Sequence, residues 1–190
     1  MDRIKAAAAL ALAMLASPVS AQEGTVVNMW PKAGEWITVL AGKAGGGVAC
    51  SIVTGPQKTE TGEEASFAFD VADETHFHLR LKGAPPLDPP GLLMEAAGAT
   101  VADMPLLKRL DKDGVQDLEA DIPGDRFARV IEPHLVGKET VVIRAGGKTY
   151  VLPHENFVRT IDNLSACAKE ARERGARPSG QEPAAGRRVF

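Results

Sequence analysis

The stretch SFAFDVADETHFHLRL, residues 66–81, decides how the chain is read. Phe67, Phe69 and Val71 alternate on one arm and Phe77, Leu79 and Leu81 on the other. A strand turns successive side chains to opposite faces, so the period of two puts these six on one apolar face. Ser66, Asp70, His76, His78 and Arg80 share the opposite, polar face. This is the signature of an antiparallel pair with one side packed and the other toward water.

The flanking sequence continues in the same style. TVVNMW (25–30) and WITVL (36–40) are branched and aromatic runs separated by PKAGE, a turn composition. GVACSIVT (47–54) follows a glycine-rich loop that lacks the lysine and serine or threonine spacing of a phosphate cradle. GAPPLDPPG (83–91), with four prolines, reads as a loop leading into LLMEA. LLKRLDKDGVQDLEADI (106–122) predicts a hairpin turning at Asp113-Gly114, and TVVIRAGGKTYVL (140–152) another at Gly146-Gly147. Between them Asp125 can cap a short helix that buries Phe127, Val130 and Ile131 and ends at Gly137, with Pro133 near its end or kinking it.

The strongest helix lies in HENFVRTIDNLSACAKEARER, where Phe157, Ile161, Leu164, Ala168 and Ala171 form one stripe. Cys167 borders that stripe, which aims it at the sheet and the strand carrying Cys50. The expected fold class is α+β: mainly antiparallel strands, in a sandwich-like or strongly bent sheet, with the C-terminal helix packed on it.

Residues 1–21 have the order of a secretory leader: Arg3 and Lys5, an apolar core over 6–16, then Val19 and Ala21 at small-residue positions. Cleavage is expected after Ala21. Removing 21 of 190 residues leaves 169, and the loss of Asp2, Arg3 and Lys5 moves the formal charge from −3 to −4. That size fits a single exported domain over 22–174, and 175–190, rich in Gly, Pro and Ala, reads as a disordered tail. An acidic surface argues against nucleic acid, and no second apolar run reaches the roughly 20 residues of a membrane span.

Export takes Cys50 and Cys167 somewhere oxidising, where an even count reads first as a disulfide. Zinc would need about four ligands, and neither cysteine has a CxxC neighbour. A catalytic thiol would need a nearby histidine base. His76 and His78 are the metal candidates, because residues two apart on a strand point the same way. Arg80 extends the same row and opposes a cation, so the ordinary alternative is a polar outer face. DKDGVQDLE (111–119) resembles half of a calcium loop, yet Arg109 and Ala120 fall where acidic ligands belong. His134 and His154 read as structural or exposed. The sequence nominates no catalytic residue and no cofactor.

The succession GEWITV (34–39), GVACSIV (47–53), VVIRAGGKTYVL (141–152) and IDNLSAC (161–167) resembles small periplasmic proteins of the invasion-associated locus B type. The resemblance implies a β-rich exported domain, in some members tied to host-cell invasion, with no catalytic residues to carry over. The expected function is therefore a non-enzymatic periplasmic or secreted interaction protein with an unknown protein partner. The alternative is a periplasmic metal-binding protein using His76 and His78.

Overall fold

The computed structural model describes residues 25–42, 47–71, 75–122 and 126–175. The leader 1–21, the cleavage point, residues 43–46 of the glycine loop, Asp125 and the tail beyond Gly175 lie outside the described residues.

Among the described residues eleven strands precede the last helix: β1 (Val26–Met29), β2 (Trp36–Gly42), β3 (Val48–Thr54), β4 (Gln57–Lys58), β5 (Glu64–Val71), β6 (Thr75–Lys82), β7 (Gly91–Ala96), β8 (Ala99–Lys112), β9 (Val115–Ile122), β10 (Val141–Ala145) and β11 (Lys148–Leu152). They pair antiparallel in the order β1-β2-β3-β5-β6-β9-β8-β7-β10-β11, with β4 beside β5. Two helical segments complete the described part of the fold. A π-turn (Phe127–Ile131) runs into α1 (Glu132–Val136), and α2 spans Phe157–Gly175. The chain is thus α+β, mostly antiparallel sheet with a C-terminal helix packed on it.

The predicted hairpin is β5–β6, with Phe69 opposite Phe77 and Phe67 opposite Leu79. All four are buried, and Phe69 stacks obliquely on Phe77 and on Phe127 of the π-turn at centroid distances of 5.0 and 4.9 Å. Their face continues through Leu118 and Ala120 of β9 and meets Met94, Met104, Ile143 and Leu152 in one apolar core.

The sheet bends because β8 belongs to both halves. Its first part, from Ala99 to Pro105, pairs with β7; from Leu106 to Lys112 it pairs with β9. The register slips between Leu106 and Lys108, which leaves Leu107 bulged outward and exposed. A bulge increases local twist and bends its strand. Gln116 then pins the proline loop inside the bend: it accepts from the Leu87 N–H and donates to the carbonyls of Ala84 and Pro85.

Both predicted two-residue turns form. Asp113 and Gly114 have φ of 53° and 75°, and Gly146 and Gly147 have 55° and 79°, the left-handed pair that a tight hairpin requires. Pro133, expected near the helix end or kinking it, sits in the first turn of α1, just after the helical backbone changes from π to α. The preceding π-turn, closed by the Glu132 N–H to the Phe127 carbonyl, supplies the irregular backbone there.

α2 lies across β2 and β3. Its buried face is Phe157, Thr160, Leu164 and Cys167, so Cys167 is central to the stripe rather than at its border, while Ala168 is only half-buried. Cys50 and Cys167 form a disulfide with their Cα atoms 6.0 Å apart. Trp36 closes the other end of the helix: fully buried between Phe69 and Phe157, it donates from Nε1 to the Pro153 carbonyl at 2.8 Å. Gly34 passes so close that a Cβ there would lie 2.0 Å from the Glu155 carbonyl oxygen. Trp36 and Gly34 thus tie the start of β2 to the loop that follows β11.

Candidate functional site

The polar face of β5, β6 and β9 carries the densest group of titratable side chains. His78 stands opposite Ala68 on one side and Glu119 on the other. Small Ala68 leaves room, and the diagonal positions bring two carboxylates to the ring. Nδ1 lies 3.3 Å from Asp117 Oδ1, and Nε2 lies 3.3 Å from Asp70 Oδ2. Arg80 reaches the other Asp117 oxygen at 3.4 Å, and Ser51 of β3 stands opposite Asp70. His76 pairs separately with Glu119, Nδ1 to Oε1 at 3.3 Å.

The alternation therefore placed His76, His78 and Arg80 correctly in one row. It did not foresee that His78 would be buried, at 6% exposure. Strand period assigns a face, whereas burial depends on what the neighbouring strands bring beside it.

Burial opposes charge on the imidazole, but hydrogen bonding and charge from Asp117 and Asp70 outweigh it and push the pKa up to about 10. Burial likewise pulls Asp70 upward, and the hydrogen bond and charge of His78 overcome this, leaving its carboxyl below the usual value. The ring is thus an imidazolium enclosed by two carboxylates. In that state it has no lone pair for a metal or for a substrate proton. Among the described residues, no cluster of three or more His, Cys, Asp or Glu side chains is placed to hold a metal ion.

A second buried charge pair joins distant segments. Glu63, in the turn between β4 and β5, is 7% exposed and pairs with Lys148 Nζ, while Tyr150 Oη stands 3.5 Å from its other oxygen. Burial, then the Glu63 charge, drives the Tyr150 hydroxyl up to about 12. Sequence gave no signal for this pair, because its members are 85 residues apart.

The other candidates fall apart from these clusters. DKDGVQDLE is the turn and first half of the β8–β9 hairpin, with Asp111 paired to Arg109 at 2.8 Å. His134, on α1, contacts Glu139 at 2.7 Å. His154 accepts the Phe157 N–H through its carbonyl at the start of α2.

Two shallow, open clefts mark the surface. One, of about 410 Å³, lies between the β7–β8 turn and Glu139-Thr140. The other, of about 370 Å³, lies between Asn28 and Trp30 and the last turns of α2. Glu170 borders the second; hydrogen bonds from Arg174 and Asn28 hold its carboxyl below the usual range. Val26, Val27 and Met29 of β1 are exposed, Val26 and Met29 on the sheet face opposite Asn28.

No protein-family model matches the chain, and no curated protein or solved structure shows significant similarity to it. No helix among the described residues is long and apolar enough to cross a membrane. The disulfide fits an oxidising compartment.

Proposed function

We propose that the protein is a non-enzymatic interaction module of the periplasm or the secreted space, and that it meets a protein partner through the β1–α2 margin. The observation that carries this reading is the marginal strand β1, which exposes Val26, Val27 and Met29 and carries Asn28 at the border of the charged cleft of Lys169, Glu170 and Arg174. Apolar contacts rimmed by polar groups are the usual composition of a protein-binding surface. The disulfide favours the reading, since it fastens α2, one wall of that cleft, to the sheet. The resemblance of the sequence layout to invasion-associated locus B proteins supports an exported binding role.

The test uses the oxidised protein, immobilised and exposed to periplasmic and culture extracts. A specific partner should be captured by the native chain and lost with Val27→Lys and Met29→Lys, while the melting temperature of both variants stays unchanged. Turnover of a substrate, or capture indifferent to both substitutions, would overturn the proposal. Zinc and copper titrations discriminate the metal-handling alternative, which requires binding that His78→Ala weakens.

A further inference from the structure

The last strand offers a pairing edge that the other described residues leave open. In the β10–β11 hairpin, Ala145 faces Lys148 across the two-residue turn, followed by Ile143 with Tyr150 and Val141 with Leu152. In a tight hairpin the residues closing the turn exchange hydrogen bonds, and the pattern alternates outward from them. The N–H and C=O groups of Thr149 and Val151 therefore point away from β10, and β11 ends the strand order. No hydrogen bond to these four groups is present among the described residues. Thr149 is exposed, and Val151 is 55% exposed.

The open length is bounded at both ends. Gly147 belongs to the turn, and Pro153 has no N–H and gives its carbonyl to Trp36. An occupant must therefore be extended and must offer two outward-facing residues in matching phase. A second copy of β11 does so. Turned about a two-fold axis at Tyr150, Thr149 of each copy faces Val151 of the other, and each facing pair exchanges two backbone hydrogen bonds. The facing side chains are both β-branched, a favourable cross-strand combination.

The opposite edge rules out the competing arrangement of copies. In β1 the Met29 N–H is bound by Asn28 Oδ1 at 2.8 Å, Asn28 Nδ2 is held by Glu170 at 2.7 Å, and the register with β2 slips between Val26 and Asn28. A head-to-tail β11-to-β1 contact, which would grow into an open filament, meets a bulged edge whose donor is already engaged. We infer that the protein forms a two-fold symmetric homodimer by antiparallel pairing of β11 with β11 of a second copy. An edge of two residues buries little surface, so the dimer belongs to the weak, concentration-dependent class. The inference stands apart from the partner-binding reading, which uses the other margin.

Sedimentation equilibrium of the oxidised full chain tests it. The native protein should dimerise reversibly, and Val151→Pro should weaken association roughly tenfold or more by removing a donor from each copy. Val27→Lys, on the far margin, should leave the association constant unchanged. A native chain that stays monomeric up to about 1 mM, or a folded Val151→Pro variant that dimerises like the native chain, overturns the inference. Should Val151→Pro fail to fold, amide exchange of the native chain decides instead: protection at Val151 must rise with protein concentration, and a flat profile refutes the dimer. Partner capture by a strictly monomeric protein would sink the dimer and leave the binding role standing.

Discussion

β1 and β11 are the two margins of the same sheet, and they treat their free backbone in opposite ways. β1 displays the more apolar surface, with Val26, Val27 and Met29 exposed, yet its Met29 donor is bound by the neighbouring Asn28 side chain and its register is broken. β11 exposes one large apolar side chain, Val151, and runs in unbroken register beside β10, its outer donors and acceptors unbound among the described residues. The difference teaches that exposed hydrophobic residues do not identify a pairing edge. Unsatisfied backbone does, because strand addition is directed by hydrogen bonds, whereas apolar contact has no direction.

The largest test of this contrast is loss of the tether. The bond joins Cys50 and Cys167 across a sequence separation of 117, and the paired Cys50→Ser and Cys167→Ser substitutions should cost about 4–5 kcal/mol in denaturant unfolding. Amide exchange should accelerate first over β1 to β3, where α2 packs, and least over β10 and β11. Uniform acceleration would break the proposed asymmetry. Trp36→Phe comes next. It removes the donor to Pro153 and should cost about 1–3 kcal/mol, loosening both margins together because Trp36 links them.

His78, midway between the margins, supplies a pH reference. Its folded pKa of about 10 lies above the ordinary 6.5, so its stabilising contribution is complete below 6.5 and vanishes as pH rises through about 10. Asp70, depressed below 3.8, contributes fully above that value and loses its contribution as pH falls through its folded value. An imidazole NMR titration of His78 centred near the ordinary value would refute the enclosed imidazolium. The smallest effect belongs to Asn28→Ala. It should change stability by less than about 1 kcal/mol while making the Met29 amide exchange faster. An unchanged Met29 rate would show that the side chain does not guard that edge.

Much of the sheet was legible because alternation survives wherever one face is buried and turns are short. Phe67, Phe69, Phe77 and Leu79 declared their hairpin, and Asp113-Gly114 and Gly146-Gly147 declared theirs. The full reach of β8 was hidden. Its alternation fails at Pro105-Leu106-Leu107, where the strand passes from β7 to β9 and bulges. The cysteine pair could be read from its compartment and from the helical stripe, but the carboxylates around His78 could not. Asp117 reaches the ring only through the β6–β9 register, which no local pattern encodes. The contrast between the margins was equally hidden, since Asn28 and Thr149 look alike as polar residues in short strands.

The double membership of β8 bears on how the molecule comes apart. Because one continuous strand is hydrogen-bonded to β7 on one stretch and to β9 on the next, neither half retains a complete set of ladders if the other melts. Unfolding should accordingly be a single cooperative event, with fluorescence and circular dichroism tracing coincident transitions. A protease meeting the native protein would release neither half of the sheet as a stable fragment.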